Sequence, residues 1–240
     1  LGGYFASLTG YVLIAVTLLL LGLSFMDMLV KLNAEPTDAP VTEVFYATYY
    51  FWLILLLTAP VMTMRLFALE KFSGTYETLM TAPVRDLQVV LAKFSAALFF
   101  YVITWLPLLG CIFLVNRFSN DPSAVDVKTM GSMFLGIVLI GSVFMSLGTF
   151  ASALTRNQII AAMLSYGLSL ALFMLSLRSL VATAAPEGWA RDFFGYISLL
   201  QHMEQFARGV IDTRPIVFCL SLTIVCLYLT LKVVESRRWK

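Results

Sequence analysis

Six long apolar runs dominate this chain, and each is long enough to cross a bilayer as a helix. A transmembrane helix needs about 20 apolar residues. Only 12% of the 240 residues are charged, about half the share found in soluble domains. The sequence therefore predicts an all-α integral membrane protein with a single transmembrane domain over residues 1–240. The predicted spans are Tyr4–Val30, Val44–Phe67, Leu87–Val115, Thr129–Leu154, Gln158–Val181 and Pro215–Val234.

The first run is interpreted as a span and not as a cleavable signal peptide. It is too long, it lacks a small-residue cleavage pattern, and no basic region precedes it. The sequence starts at Leu1 without Met. We therefore expect a polar helix on the cytoplasmic side, before the first span, to be missing from this sequence.

The placement of basic residues predicts the orientation. Short loops rich in Lys and Arg stay in the cytoplasm, and the loop after the second span, the turn after the fourth span and the C-terminal tail fit that description. Both termini are therefore predicted to be cytoplasmic in a multi-pass protein. Because the basic residues are dispersed, no nucleic-acid partner is expected. The basic residues in these three segments are Arg65, Lys71, Arg85, Lys93, Arg156, Arg237, Arg238 and Lys240.

A polar segment with helix punctuation separates the second and third spans. We expect the second span to extend beyond the membrane surface to Phe72, with Gly74 as its left-handed terminator. Thr75 is suited to cap a short helix over Thr75–Thr81, and Pro83 ends that helix. The pattern predicts an elbow: a protruding helix, a short cross-helix and a return to the membrane.

Two further patterns predict local structure at the ends of spans. Thr155 and Gln158 form a capping-box pattern, which predicts a tight turn with Arg156 exposed. Ser198 and Gln201 form a second one, and Gly209 is a helix stop. We expect two short amphipathic helices at the outer leaflet between the fifth and sixth spans; the alternative is a loop packed over the bundle. Leu199, Leu200, Met203 and Phe206 share one face of the second helix.

Several kinds of chemistry have no motif in this chain. A Gly-rich phosphate-binding loop followed by Lys and Ser or Thr does not occur, so we expect no ATP hydrolysis by this chain alone. No catalytic or metal-ligating constellation is predicted, and His202, beside Glu204, is interpreted as a polar surface residue. The middles of the spans are nearly free of ionisable residues, which disfavours an ion-coupled carrier.

Several blocks of sequence together resemble one family. They are T-M-R-L-F-A-x-E-K-x-S-G-T-x-E-x-L-x-T-A-P-V at 63–84, V-V-L-x-K-F at 89–94, A-S-A-L-T-R-N-Q at 151–158, Q-H-x-E-x-F-A-R-G-V-I-D at 201–212 and E-S-R-R-W at 235–239. In these blocks the chain resembles the ABC-2 type transporter permeases, and most closely the gliding-motility-associated subgroup.

The resemblance implies a six-helix permease subunit with the architecture of a type V ABC exporter, in a bacterial inner membrane. Two permease subunits, the same or related, would pair and dock on a dimer of cytoplasmic ABC ATPase subunits. ATP and magnesium would bind in that partner, and no cofactor in this chain. A periplasmic or membrane-anchored accessory protein and membrane lipids complete the expected partners.

The resemblance also assigns roles to particular residues. The elbow would be the coupling helix that enters a groove of the ATPase, and the helices between the fifth and sixth spans would form an outer gate. The implied ATPase-coupling residues are Arg65, Glu70, Lys71, Ser73, Gly74, Thr75, Glu77, Leu79, Pro83 and Arg156. The implied gate residues are His202, Glu204, Phe206 and Arg208.

Other functions stay open at this point. One is a membrane scaffold or channel subunit that docks a cytoplasmic partner through the same elbow without transport. The substrate is not readable: apolar and small span residues fit lipids, lipid-linked glycans or amphipathic peptides. A role in transducing force without bulk transport is a further alternative.

Overall fold

Helices account for all the regular structure that the computed structural model describes, which covers residues 7–34, 40–75, 84–118, 127–182 and 189–238. The prediction of an all-α membrane fold is confirmed. The helices within those residues are α1 (Leu8–Ala34), α2 (Val41–Tyr46), α3 (Tyr49–Thr63), α4 (Ala68–Ser73), α5 (Asp86–Phe118), α6 (Val127–Leu154), α7 (Gln158–Ala182), α8 (Trp189–Ile197), α9 (Leu199–Ala207) and α10 (Thr213–Arg238).

Within the described residues, six segments are long and apolar enough to cross a membrane. They are Leu8–Asn33, Tyr49–Ser73, Asp86–Val115, Lys128–Leu154, Gln158–Ser179 and Thr213–Ser236. These segments match the six predicted spans in order and number. Pro60 lies inside α3 and Pro107 inside α5, which membrane helices tolerate because neighbouring groups satisfy the freed backbone atoms.

The second span differs from its prediction at both ends. It was expected to run as one helix from Val44 through Phe67 and on to Phe72. Instead α2 is separate and α3 starts at Tyr49; the helix then breaks at residues 64–67 and resumes as α4. Phe67 has φ −120° and ψ −36°, outside ordinary helical values. The physical reason for the break is tertiary, because groups from other helices bond to its backbone.

The α3 and α6 helices form the centre of the bundle. In their most apolar stretches 67% and 72% of the residues are buried, against 22–33% in the other spans. The α6 helix packs against α3, α5, α7, α9 and α10. Its small residues permit close approach: a Cβ added at Gly148 would overlap Thr63 Oγ1 of α3 and lie 2.8 Å from Ser165 Oγ of α7.

The bundle has two ends, the elbow end and the cap end. The elbow end contains the helix break at residues 64–67, α4, Gly74, the start of α5 and the α6–α7 turn. The cap end contains α2, α8, α9 and Gly209. The two short helices predicted between the fifth and sixth spans are present as α8 and α9, and α10 contains Pro215 in its first turn, as expected.

Candidate functional site

The break between α3 and α4 is the centre of the candidate site. The last backbone hydrogen bond of α3 joins Met64 N to the Pro60 carbonyl at 2.9 Å. Beyond it the chain turns through residues 64–67 before α4 begins. A broken helix leaves amide N–H and carbonyl groups without partners in the helix, and a buried one must find other partners.

Ser152 of α6 supplies three of the missing hydrogen bonds. Its hydroxyl accepts from the N–H groups of Phe67 at 3.0 Å and Ala68 at 3.1 Å. The same hydroxyl donates to the Met64 carbonyl at 3.2 Å. Ser152 is fully buried, so these bonds are shielded from water. The side chain of one serine therefore joins the two sides of the break.

Lys93 of α5 holds the break from the other side. Its ammonium donates to the Leu66 carbonyl at 2.6 Å and forms an ion pair with Glu70. It also lies 5.0 Å from the centre of the Phe67 ring, within range of a cation–π interaction. Because Glu70 belongs to α4, Lys93 connects α5 both to the break and to the helix that follows it.

Residues at both ends of the segment from Arg65 to Gly74 also bond to other helices or set its end. Arg65 Nη1 donates to Thr9 Oγ1 of α1 at 2.8 Å, and Lys71 donates to the Ala153 carbonyl of α6. Gly74 has φ +75°, the left-handed conformation that favours glycine at a helix C-terminus. The predicted terminator at Gly74 is therefore confirmed.

The predicted coupling residues separate into two groups. Arg65, Glu70 and Lys71 bond to other parts of this chain, so the structure places their side chains in internal contacts. Ser73, Gly74 and Thr75 are exposed, as is Arg156 in the α6–α7 turn. Glu77, Leu79 and Pro83, and with them the predicted cross-helix, lie outside the described residues.

The α6–α7 turn corrects one capping prediction. The expected box between Thr155 and Gln158 is wrong, because Asn157 is the residue that caps α7. Its side-chain carbonyl accepts from Ile159 N at 2.9 Å, while Thr155 Oγ1 accepts from Asn157 N at 2.9 Å. The cap lies two residues later than the pattern suggested, so the turn is two residues longer, and Arg156 is exposed as expected.

At the cap end α9 packs with α2 and α6. The Ser198 hydroxyl accepts from Gln201 N at 3.3 Å and Gly209 has φ +80°, which confirms both predicted ends of α9. Thr42 of α2 donates to the Ala207 carbonyl at 2.6 Å. The buried Phe206 ring faces α6 so closely that a Cβ at Gly136 would lie 2.8 Å from it.

The four predicted gate residues occupy different environments. Arg208 forms ion pairs with Glu43 of α2 at 2.9 Å and with Glu204 at 2.7 Å, and these pairs raise the pKa of Arg208, with Glu43 as the largest cause. Phe206 and His202 are buried. The interpretation of His202 as a surface residue is therefore wrong: its ring packs 5.2 Å from Phe218.

Burial changes the ionisation of groups at the cap end. Loss of water contact lowers the pKa of His202 to about 4, and the weaker attraction of Asp212 opposes that shift. His202 Nδ1 is buried without a hydrogen-bond partner among the described residues. Burial, followed by the negative charges of Glu204 and Glu43, raises the pKa of Tyr46 to about 12. His202 and Tyr46 are both therefore neutral at pH 7.

The sequence did not single out two residues that the structure places at the centre of the site. Lys93 had a usable signal, because a cation two turns inside an apolar helix needs a partner. Ser152 had only its place in the block at 151–158 that carries the family resemblance, since a serine among small residues on a packed helix is otherwise ordinary.

Comparison with known families gives one match. A model of the family described as ABC-2 family transporter protein matches residues 6–234 of the 240. No curated protein matches the chain. The matched segment includes α1 to α9, the break, the cap end and α10 as far as residue 234.

Proposed function

The chain belongs to the ABC-2 transporter family and is a permease component of an ABC transporter, and we propose that a separate ATPase drives it through the elbow end. ABC-2 permeases in general work with an ABC ATPase partner. In our proposal ATP and magnesium bind in that partner, and the membrane path forms between this chain and a second permease, the same or related.

The observation that carries this proposal is the way the break is held. Ser152 and Lys93 connect the backbone of residues 64–68 to α6 and α5, and α6 is one of the two central helices. A force applied to α4 or to the exposed residues after it therefore reaches the centre of the bundle directly. An exposed loop without such bonds would yield locally instead.

The proposed orientation rests on the placement of the basic residues in the sequence. We place the elbow end and both termini in the cytoplasm of a bacterial inner membrane, where an ATPase can reach them. The predicted cross-helix over Thr75–Thr81 would enter the ATPase, with Ser73, Gly74, Thr75 and Arg156 at the contact. Arg65, Glu70 and Lys71 would support that surface from within the chain. The closer assignment to the gliding-motility-associated subgroup rests on the sequence blocks alone.

The cap end is proposed as the outer gate. Phe206 fills the space beside Gly136 on α6, and Arg208 joins α9 to α2 through Glu43. Movement of α6 would therefore shift α9 relative to α2. In this scheme Phe206 and His202 pack the gate, while Glu204 and Arg208 form its outer ion pairs.

Site-specific photocrosslinking tests the coupling assignment. A benzophenone amino acid at Phe72, which is 77% exposed at the elbow end, should crosslink to a chain that mass spectrometry identifies as an ABC ATPase. The matched control is the same amino acid at Phe193, 53% exposed on α8, which should give no such product. An ATPase crosslink from Phe193 and none from Phe72 would overturn the orientation and the coupling role together.

A functional test complements the crosslink. Charge reversal by Glu70→Lys, combined with Gly74→Pro, removes the Lys93 ion pair and the left-handed turn. ATP-dependent transport and ATPase docking should both be lost. If both survive in a variant that still folds, the coupling assignment is wrong.

A further inference from the structure

A cavity of about 500 Å³ lies at the elbow end between α1, the α3–α4 break and α5. Its volume falls within the range of about 300–1,000 Å³ typical of small-molecule sites. The proposed coupling role does not use it.

Polar and apolar lining residues occupy different depths in this cavity. The polar ones include Thr9 on α1, Arg65 in the break and Lys93 on α5. One helical turn further into the bundle, each has an apolar counterpart in the lining: Leu13, Val61 and Ala96 respectively. On each of the three segments the polar residue lies nearer the elbow end than its apolar counterpart, which suits an amphiphile with its head group at the interface. The elbow-end part of the lining also includes the apolar Leu66, Leu69 and Ala92.

Arg65 has a buried hydrogen-bond donor without a partner in the described part of the chain. Its Nη1 donates to Thr9 Oγ1 at 2.8 Å, whereas Nε is buried without a hydrogen-bond partner among the described residues. Thr9 therefore fixes one side of the guanidinium and leaves the edge with Nε and Nη2. Two parallel N–H groups on one edge match two oxygens of a phosphate or carboxylate.

Glu70 provides an acceptor in the same lining. Its Oε1 pairs with Lys93, while Oε2 is buried and has no partner within the described part of the chain. An unpartnered donor and an unpartnered acceptor in one cavity fit a ligand that accepts and donates hydrogen bonds. Among the charged side chains of the lining the two cations outnumber the single carboxylate, so an anionic ligand is favoured.

The depth of the site agrees with a lipid. Lys93 lies seven residues after Asp86 at the start of α5, which is roughly 10 Å along a helix axis. The hydrocarbon core is about 30 Å thick, so the polar groups are near one interface. Basic pockets between transmembrane helices at that level bind anionic head groups.

We propose that this cavity binds one anionic phospholipid whose head group carries a hydroxyl donor, such as phosphatidylglycerol. Arg65 binds the phosphate through Nε and Nη2, and Glu70 Oε2 accepts a hydrogen bond from the head-group hydroxyl. An acyl chain follows the apolar wall formed by Leu13, Val61 and Ala96. A phospholipid and free inorganic phosphate share the phosphate group that Arg65 would bind. The apolar wall favours the lipid, because free phosphate has no apolar part to cover it.

Native mass spectrometry of the purified full chain in detergent tests this proposal. Phosphatidylglycerol, phosphatidylcholine and inorganic phosphate are titrated separately, and bound ligand per chain is measured. The expected result is preferred binding of phosphatidylglycerol, weakened about tenfold in Arg65→Gln. Arg65→Lys keeps the charge but not the two parallel N–H groups, so its affinity for phosphatidylglycerol should lie between those of the unaltered chain and Arg65→Gln. Arg85→Gln, an exposed cation at the same end, is the matched control and should bind as the unaltered chain does.

A second variant keeps the test decisive if Arg65→Gln does not fold. Ala96→Phe fills the apolar wall without altering a charge and should abolish lipid binding. Equal phosphatidylglycerol binding by the unaltered chain and a folded Arg65→Gln variant would overturn the proposal. So would binding of inorganic phosphate as tight as that of the lipid, because the site would then be a free-phosphate site. Undiminished lipid binding by Ala96→Phe would contradict the assigned acyl-chain path.

Discussion

The two ends of this bundle use polar side chains in different ways. At the elbow end, Ser152 and Lys93 bond to backbone atoms of a broken helix. At the cap end charged side chains bond to one another, as the half-exposed Arg208 does with Glu43 and Glu204. Shielded bonds to backbone contribute more to stability than exposed ion pairs. The elbow end should therefore depend on its polar residues, and the cap end on packing.

The largest effect is expected at Lys93. Lys93→Met leaves the Glu70 carboxylate and the Leu66 carbonyl without the donor that they share. The two side chains of the ion pair are only 17% and 30% exposed, so the free energy of unfolding should fall by about 2–3 kcal/mol. Denaturant titration in detergent micelles measures it. Lys232→Met breaks a surface pair with Glu235 and should leave the denaturation midpoint unchanged. An equal loss of stability in both variants would show that the shielded pair contributes no more than the exposed one.

The next effect is a pH dependence at the cap end. The pKa of His202 is about 4 in the folded chain and about 6.5 in an unfolded one. Because the folded pKa is the lower, the stabilisation is complete above pH 6.5 and is lost as the pH falls toward 4. Between pH 7 and pH 5 the loss should be about 2 kcal/mol.

Denaturant titration at both pH values, with His202→Gln as the control, checks this dependence. The glutamine does not titrate, so the part of the pH dependence due to His202 should disappear whatever the absolute stability of the variant. An unchanged pH dependence would mean that His202 keeps its contact with water in the membrane-embedded protein.

A smaller effect is expected at Ser152. Ser152→Ala removes the acceptor for the N–H groups of Phe67 and Ala68 and should cost about 1–2 kcal/mol. Amide exchange at residues 67 and 68 should accelerate. Ser221→Ala is the matched control, because the Ser221 hydroxyl is exposed and bonds within its own helix. If amide exchange at residues 67 and 68 stays slow, groups other than the Ser152 hydroxyl protect these two N–H groups.

The smallest effect is expected at Arg208. The side chain is 53% exposed, and water and salt screen its ion pairs. Arg208→Gln should therefore leave the melting temperature unchanged, with circular dichroism as the measurement. A clear drop would show that the cap end depends on charge pairing as much as the elbow end does.

The sequence was informative where structure is local. Gly74, Gly209 and Ser198 act within one helical turn of themselves, so their roles at helix ends followed from residue type. The six spans were identified from the hydropathy of continuous stretches of sequence. His202 was also within reach, because Leu199, His202, Met203 and Phe206 share one helix face, although the interpretation gave weight only to the apolar members.

The break between α3 and α4 could not be predicted in the same way. Its partners come from residues 85 and 27 positions away in the sequence, Ser152 to Phe67 and Lys93 to Leu66. Nothing in residues 64–67 distinguishes them from a continuous helix, since no glycine or proline lies there. Only the positions of α5 and α6 make an interrupted helix the stable arrangement. The lack of a partner for Arg65 Nε also depends on tertiary packing, and so does the cavity that Arg65 lines.

The crossing at Gly148 has a mechanical consequence. A Cβ at Gly148 would overlap Thr63 Oγ1 of α3 and lie 2.8 Å from Ser165 Oγ of α7, so α6 is in its closest contact with both neighbours at this glycine. The clamp at Ser152 lies four residues to one side and the Phe206 contact at Gly136 twelve residues to the other, roughly 6 Å and 18 Å along the axis. If α6 tilted about this contact, its Gly136 end would therefore move about three times as far as its Ser152 end, and in the opposite direction.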